Sequence, residues 1–171
     1  MARLRPARVY RRVRRPYVRV SRFREKSYVS GVPPCRIRVF EMGNKKGEFE
    51  RKIVLISKNS LQIRENALEA ARITANKFLE KKVGPENYYM KIKVYPHHVM
   101  REHALATGAG ADRFQRGMTK AFGKPIGRAA QVDEGQEIIV VKTNDKFVEL
   151  AKEAVKRAST KLPGSYRIVV N

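Results

Sequence analysis

Acidic residues are scarce in this chain: 16 against 38 lysines and arginines in 171 residues, a formal charge of +22. The first 24 residues contain no acid and no lysine. Cysteine occurs once, at Cys35. That excludes an intramolecular disulfide and any multi-cysteine zinc site, and it agrees with a reducing compartment. Long apolar runs are also missing. The longest purely aliphatic stretches, residues 53–56 and 138–141, hold four residues each, far short of a membrane-spanning helix. The basic start has no apolar stretch of signal-peptide length. Pro6, Pro16 and the clustering of arginine argue against the amphipathic helix of a mitochondrial transit peptide. Secretion and membrane contact are therefore not expected.

What the first 24 residues do contain is ten arginines, with Tyr10, Tyr17 and Phe23 interleaved. Ten like charges repel, and so few apolar residues cannot offset the ordering entropy, so such a tail is expected to order only against a surface of opposite sign. Guanidinium groups fork onto phosphate oxygens and stack on bases, whereas ammonium groups act as point charges, which favours nucleic acid over an acidic membrane. The remaining residues hold 28 basic against 16 acidic side chains, so the positive charge extends over the body and a large part of its surface should face phosphate. Length allows one domain. We expect a basic RNA-binding extension over residues 1–30 and one α+β domain over 31–171.

Within that domain, Gly31-Val32-Pro33-Pro34 makes a rigid lead into an alternating strand over residues 36–40, and residues 42–48 read as a turn. A strand follows at about 50–57, buried on both faces at 53–56. Asn59 or Ser60 is expected to cap a helix to about Val83, its apolar side given by Ile63, Ala67, Ala70, Thr74 and Phe78. Residues 88–95 form a strand with Tyr88, Met90, Ile92 and Val94 on one face. After another strand at 137–142, Asn144 caps a second helix with Phe147, Leu150, Ala151, Ala154 and Ala158 on one side. Pro163-Gly164 stops it, and 166–170 is the last strand. Two β-α-β units with helices on one face of a mixed sheet would give a two-layer α+β domain.

Residues 101–131 carry five glycines, six basic residues and two acids and show no sustained period, so they read as a long loop reaching toward a polyanion. Two motifs inside or beside it invite enzymatic readings that their spacing defeats. Between Gly117 and Gly123 lie five residues rather than the four of a phosphate-cradling P-loop, and Pro125 follows Lys124 where a magnesium-holding hydroxyl and a helix should begin. Gly108-Ala109-Gly110 lacks the third glycine of a dinucleotide fingerprint. His98 and His103 are five apart, not four as on the metal-binding face of a helix, and no distant acid or cysteine completes a shell. The histidines are better suited to bases or phosphates. Glu102 and Asp112 sit among arginines that keep them ionised and are expected to pin loop arginines. A free DNA-binding protein is disfavoured because both long helices spend one face on the core. No enzyme activity, cofactor or metal is expected.

Taken together, several strings carry a specific likeness: Arg3-Leu4-Arg5-Pro6-Ala7-Arg8, Gly31-Val32-Pro33, Phe40-Glu41-Met42-Gly43-Asn44, and Pro96-His97-His98-Val99-Met100-Arg101-Glu102-His103. To these add Ala106-Thr107-Gly108-Ala109-Gly110-Ala111-Asp112-Arg113-Phe114-Gln115, Gly117-Met118 and Ala121-Phe122-Gly123-Lys124-Pro125. From end to end the chain resembles the large-subunit ribosomal protein ten-e family, counterpart of bacterial large-subunit protein sixteen. Ending at Asn171, without the C-terminal extension of eukaryotic members, it looks like the archaeal form. The resemblance implies an α+β fold with a β-hammerhead element, bound in the cytoplasmic ribosome to large-subunit ribosomal RNA beside neighbouring large-subunit proteins, and not a homo-oligomer. It further implies that the loop points toward the peptidyl transferase centre, with residues 103–116 nearest the tRNA acceptor end, helping to position A-site and P-site tRNA. The RNA-binding residues expected on charge and resemblance are Arg3, Arg5, Arg8, Arg11, Arg12, Arg14, Arg15, Arg19, Arg22 and Arg24 in the tail. From the loop they are Arg101, His103, Arg113, Arg116, Lys120, Lys124 and Arg128.

Overall fold

Alternation of apolar with polar residues produces eight strands among the described residues, and two amphipathic stretches produce helices. A computed structural model describes residues 5–12 and 16–171; Arg3, Arg14 and Arg15 lie outside them. In chain order the elements are β1 (Glu41–Gly43), β2 (Arg51–Ser57), β3 (Leu61–Arg64), α1 (Glu65–Lys82), β4 (Tyr88–Ile92), β5 (His98–Glu102), β6 (Lys124–Val132), β7 (Glu137–Thr143), α2 (Val148–Ser159) and β8 (Tyr166–Val170). They form two sheets, one ordered β1-β4-β7-β2-β8 and a smaller one ordered β3-β6-β5. The protein is thus α+β.

The expected mixed sheet is corrected. Every pairing in the five-stranded sheet is antiparallel. The reason is interleaving: β7 lies between β2 and β4, and β2 lies between β7 and β8. Strands flanking a helix run the same way without being neighbours, the split arrangement. Its apolar layer takes Ile53 and Leu55 from β2, Met90 and Ile92 from β4, and Ile139 and Val141 from β7, against Leu68, Ala71, Ala75 and Leu79 of α1 and Ala151, Ala154, Val155 and Ala158 of α2. Small alanine side chains let the two helices lie close to each other and to the sheet. Each fully buried Leu or Ile contributes about 1.5–3 kcal/mol by leaving water.

Three local expectations also change. Residues 36–40 are not a strand: the backbone N–H of Arg36 donates to Glu65 Oε2 at 2.9 Å rather than to a strand partner, and pairing with β4 begins only where Ile92 N–H donates to the carbonyl of Phe40. Residues 61–64 are a strand, not the first turn of α1, since Leu61 and Ile63 alternate with Gln62 and Arg64 with period two. Helix α1 accordingly buries Leu68, Ala71, Ala75 and Leu79, the face next to the one expected. Asn144 makes no side-chain cap; a short 3-10 turn at Asp145–Phe147 precedes α2.

The stretch 101–131 is not loop throughout. Its ends belong to β5 and β6, leaving residues 103–123 as the connection. Gly123 closes that loop at φ +82°, where a Cβ would stand 2.8 Å from the backbone carbon of Glu102. Only glycine fits there without strain.

Candidate nucleic-acid interface

The small sheet is a mounting plate for both basic segments. Strand β3 has one edge paired with β6, and its other edge meets the arginine-rich arm: Gln62 N–H donates to the carbonyl of Arg11 at 2.9 Å. Beside it Gln62 Nε2 donates to the carbonyl of Tyr10 at 2.9 Å. The guanidinium of Arg64 donates to the carbonyl of Arg5 at 2.7 Å and lies over the Tyr10 ring, 5.3 Å from its centroid. From β5, Glu102 forms an ion pair with Arg5 and accepts a 3.4 Å hydrogen bond from the Tyr10 hydroxyl. Further along, Val18 N–H donates to His98 Nδ1 at 3.3 Å, and the Tyr17 ring meets His98 edge-on at 6.1 Å. The arm is therefore seated on the protein, contrary to the expectation that it orders only against an outside surface. Backbone carbonyls need no charge partner, so an arm rich in like charges docks largely through its main chain, with the Arg5 guanidinium on Glu102 as its one charge-paired anchor among the described residues.

Burial pushes the Tyr10 hydroxyl above its ordinary pKa, and the negative charge of Glu102 pushes it further the same way. Glu102 thus serves the tail rather than the loop arginines it was expected to pin. A second acid, Glu65, is 5% exposed and staples three segments: it accepts from the backbone N–H groups of Arg36 and of Arg128 at 3.3 Å while standing at the first turn of α1, where a carboxylate is favoured.

Residues 103–123 carry their own rungs. Arg101 donates to the carbonyl of Phe122 at 2.8 Å, and its guanidinium rests on the Phe122 ring 3.8 Å from the centroid. His103 Nε2 donates to the carbonyl of Gly117 at 2.8 Å. The Gln115 amide accepts from Ala106 N–H at 2.7 Å and donates to Ala106 carbonyl at 2.8 Å. Beyond these rungs Phe114 is 87% and Met118 68% exposed, large apolar surface with no partner in the described fold.

The structure thus separates the expected RNA-binding residues. Arg8, Arg12, Arg22, Arg24, Arg113, Arg116, Lys120 and Lys124 are exposed. Arg19 is exposed too, with its guanidinium 5.8 Å from the Tyr28 ring centroid, and Arg11 offers its side chain outward from a bonded backbone. Arg5, Arg101 and His103 are engaged in the contacts above. Arg128 is held inward by a 2.8 Å bond from Nε to the carbonyl of Pro33. Gln62, Arg64 and Glu65, which seat the arm and its surroundings, were missed in sequence, and His98, expected to meet bases or phosphates, instead accepts from the backbone of Val18. The alternation of Leu61 and Ile63 with Gln62 and Arg64 was the available signal. Among the described residues no group of His, Cys, Asp and Glu is arranged to hold a metal ion; the ring of His97 packs on Tyr95 at 4.6 Å instead.

Fold and surface together define a strongly basic two-sheet α+β protein whose arginine-rich arm is seated on the smaller sheet beside a long basic loop. The family described as Ribosomal protein L16p/L10e matches residues 14–169, and the chain belongs to that family. It is 49% identical over 165 residues to the large ribosomal subunit protein uL16 of Archaeoglobus fulgidus, covering 96% of this chain and 91% of that one. With uL16 of Staphylothermus marinus it shares 50% over 167 residues, 97% and 92% of the two chains. With that of Thermofilum pendens it shares 45% over 168 residues, 98% and 96%.

Proposed function

We propose that the protein is a structural constituent of the large ribosomal subunit in the cytoplasm, an RNA-binding component of translation and not an enzyme. Its partners on this reading are large-subunit ribosomal RNA and neighbouring large-subunit proteins, without self-association. The observation that carries it is the set of exposed guanidinium and ammonium groups, Arg8, Arg12, Arg113, Arg116, Lys120 and Lys124, which make no side-chain hydrogen bond or ion pair with any described residue. Charges left in this state on a +22 chain are satisfied by phosphate, with release of condensed counterions. Residues 1–30 act as the RNA-binding extension of the body at 31–171, and the β3-β6-β5 sheet is the element we take as the β-hammerhead.

On the same reading residues 103–123 help to position A-site and P-site tRNA near the peptidyl transferase centre, by placement rather than by chemistry. Deleting residues 108–116 tests this. The connection contributes little core, and halving a loop changes closure free energy by only about 0.6 kcal/mol, so folding and incorporation into large subunits should survive. Subunits carrying the deletion should bind tRNA and form peptide bonds less well than wild type. Stoichiometric incorporation with unimpaired tRNA binding and peptide synthesis would leave the loop without that role.

A further inference from the structure

Described residues of the arm and of the base of the loop face one another across β5. Between them, over β5, lies a cavity of about 380 Å³, at the lower end of the range for clefts that enclose a small molecule. We propose that this cleft takes one unstacked nucleotide of an RNA strand, an inference that rests on the RNA-binding reading above and names a site within it.

The cleft's chemistry matches that occupant. Val99 and Met100 of β5 line it from below, both almost wholly buried. Tyr10 lines it from the arm and Phe122 from the loop, so both sides offer an aromatic ring to a base, and Arg101 extends the Phe122 side as a planar cation stacked on that ring. Arg12 lies on its rim with no side-chain partner among the described residues, free to meet the phosphate that accompanies the base. Among the described residues no carboxylate lines it, and the adjacent acid, Glu102, is taken up by Arg5 and Tyr10. An anion therefore enters without repulsion from the walls.

Size and specificity follow from the same contacts. A cavity this small admits a single splayed-out nucleotide and no helix, and sequence-specific or stacking recognition of RNA uses such extruded bases on aromatic and guanidinium planes. The amide and imidazole groups that could read a base edge are engaged within the fold: Gln62 Nε2 donates to Tyr10 carbonyl, His98 Nδ1 accepts from Val18 N–H and His103 Nε2 donates to Gly117 carbonyl, which leaves Arg12 for the phosphate. Recognition here is accordingly by stacking and charge and tolerates any base.

Ala121 allows the test. It is exposed, lines the cleft and lies outside the core, so Ala121→Trp fills the cavity without removing a charge. The full-length protein is titrated with protein-free large-subunit ribosomal RNA at several salt concentrations, with base-directed chemical probing of each complex. Stacking of one base accounts for roughly tenfold in affinity. A121W should bind about tenfold more weakly with an unchanged salt slope, and one base protected by the wild-type protein should become reactive. Arg101→Lys, which keeps the charge and loses the stacking plane, should shift affinity the same way and expose the same base. Wild-type affinity and an identical footprint for both variants would overturn the cleft while leaving RNA binding intact. Saturation of the cleft by free adenosine monophosphate at micromolar concentration, without RNA, would overturn the RNA strand as its source. A wild-type protein that binds no RNA would overturn both readings.

Discussion

Replacing Arg64 with methionine separates the seating of the arm from the integrity of the fold. The substitution keeps an unbranched apolar stem in β3 and removes only the guanidinium, which bonds the Arg5 carbonyl and covers the Tyr10 ring. A hydrogen bond from a charged donor contributes about 1.5–3 kcal/mol, and the cation–π contact of the buried Arg64 with the half-buried Tyr10 ring adds about 0.5–1 kcal/mol or more. Two effects lower the sum. The Arg5 carbonyl regains water when the arm lifts, and loss of a cation close to Arg5 and Arg11, which line one cleft with Arg64, relieves repulsion. About 2 kcal/mol remains, a factor of about 30 in the population of the lifted arm. Limited trypsinolysis reads this population when opening is fast relative to cleavage. Cleavage after Arg8, Arg11 and Arg12 should accelerate about 30-fold in R64M, with little change in melting temperature. Equal cleavage rates in wild type and variant, both as fast as in an unstructured peptide, would refute the docking.

Deleting residues 1–24 should flatten the salt dependence of RNA binding: with 6–10 phosphates neutralised, affinity falls by about three to five decades between roughly 50 and 200 mM salt, and equal slopes with and without the arm would deny it the main electrostatic role. Gly123→Ala should destabilise the base of the loop by about 1–3 kcal/mol, because it combines a positive φ with a backbone clash; amide exchange at the end of β5 and the start of β6 reports it. Tyr88, whose hydroxyl donates to Asn76 Oδ1 at 2.8 Å, has its phenol pushed up to about 12, chiefly by burial and secondarily by Glu80. With the folded value above the unfolded one, its contribution to stability is complete below about pH 10 and is lost as pH rises through about 12. Burial also pushes the Tyr166 phenol well up, so phenolate absorbance should show late-titrating tyrosines, one fewer in Tyr88→Phe than in wild type.

Period and punctuation made the large sheet legible where one pattern had no competitor. Ile53 to Leu55, the run at residues 138–141 and the alternation of Tyr88, Met90, Ile92 and Val94 all fall in the core, with Ile56 half-buried at the end of its run, and Pro163-Gly164 does precede β8. Failure came where two elements abut without a breaker. Leu61 to Arg64 alternates over only four residues before a helical pattern begins, and four residues satisfy either period. The second sheet escaped for a different reason: its members are far apart in sequence, and β6 is built from Gly127, Ala129 and Ala130, whose small side chains give hardly any apolar signal. In the interface, charge located the arm and the loop, since like charges cluster visibly in a sequence. It could not locate what holds them, because Gln62, Arg64 and His98 work by bonding main-chain atoms of partners up to 80 positions away.

On the proposed RNA-binding role, seating the arm through its backbone changes the energetics of that binding. Fixing a residue's backbone costs about 1–2 kcal/mol, and an arm ordered only by RNA would bear that cost for its whole length at the moment of binding. Here residues 5, 10, 11 and 18 are tied to β3 and β5 beforehand, so part of the ordering is complete before phosphate arrives. The loop is treated in the same way by its rungs at residues 103–117 and 106–115. Acids are spent where they organise these segments: Glu102 holds the arm, and Glu65 fixes the segments around Arg36 and Arg128. Neither cancels Arg8, Arg12, Arg113 or Arg116. A chain with few carboxylates thus uses two of them inside its own frame and presents uncompensated guanidinium groups on segments already held in place, which, on the RNA-binding role proposed above, would raise affinity by preorganisation rather than by additional contacts.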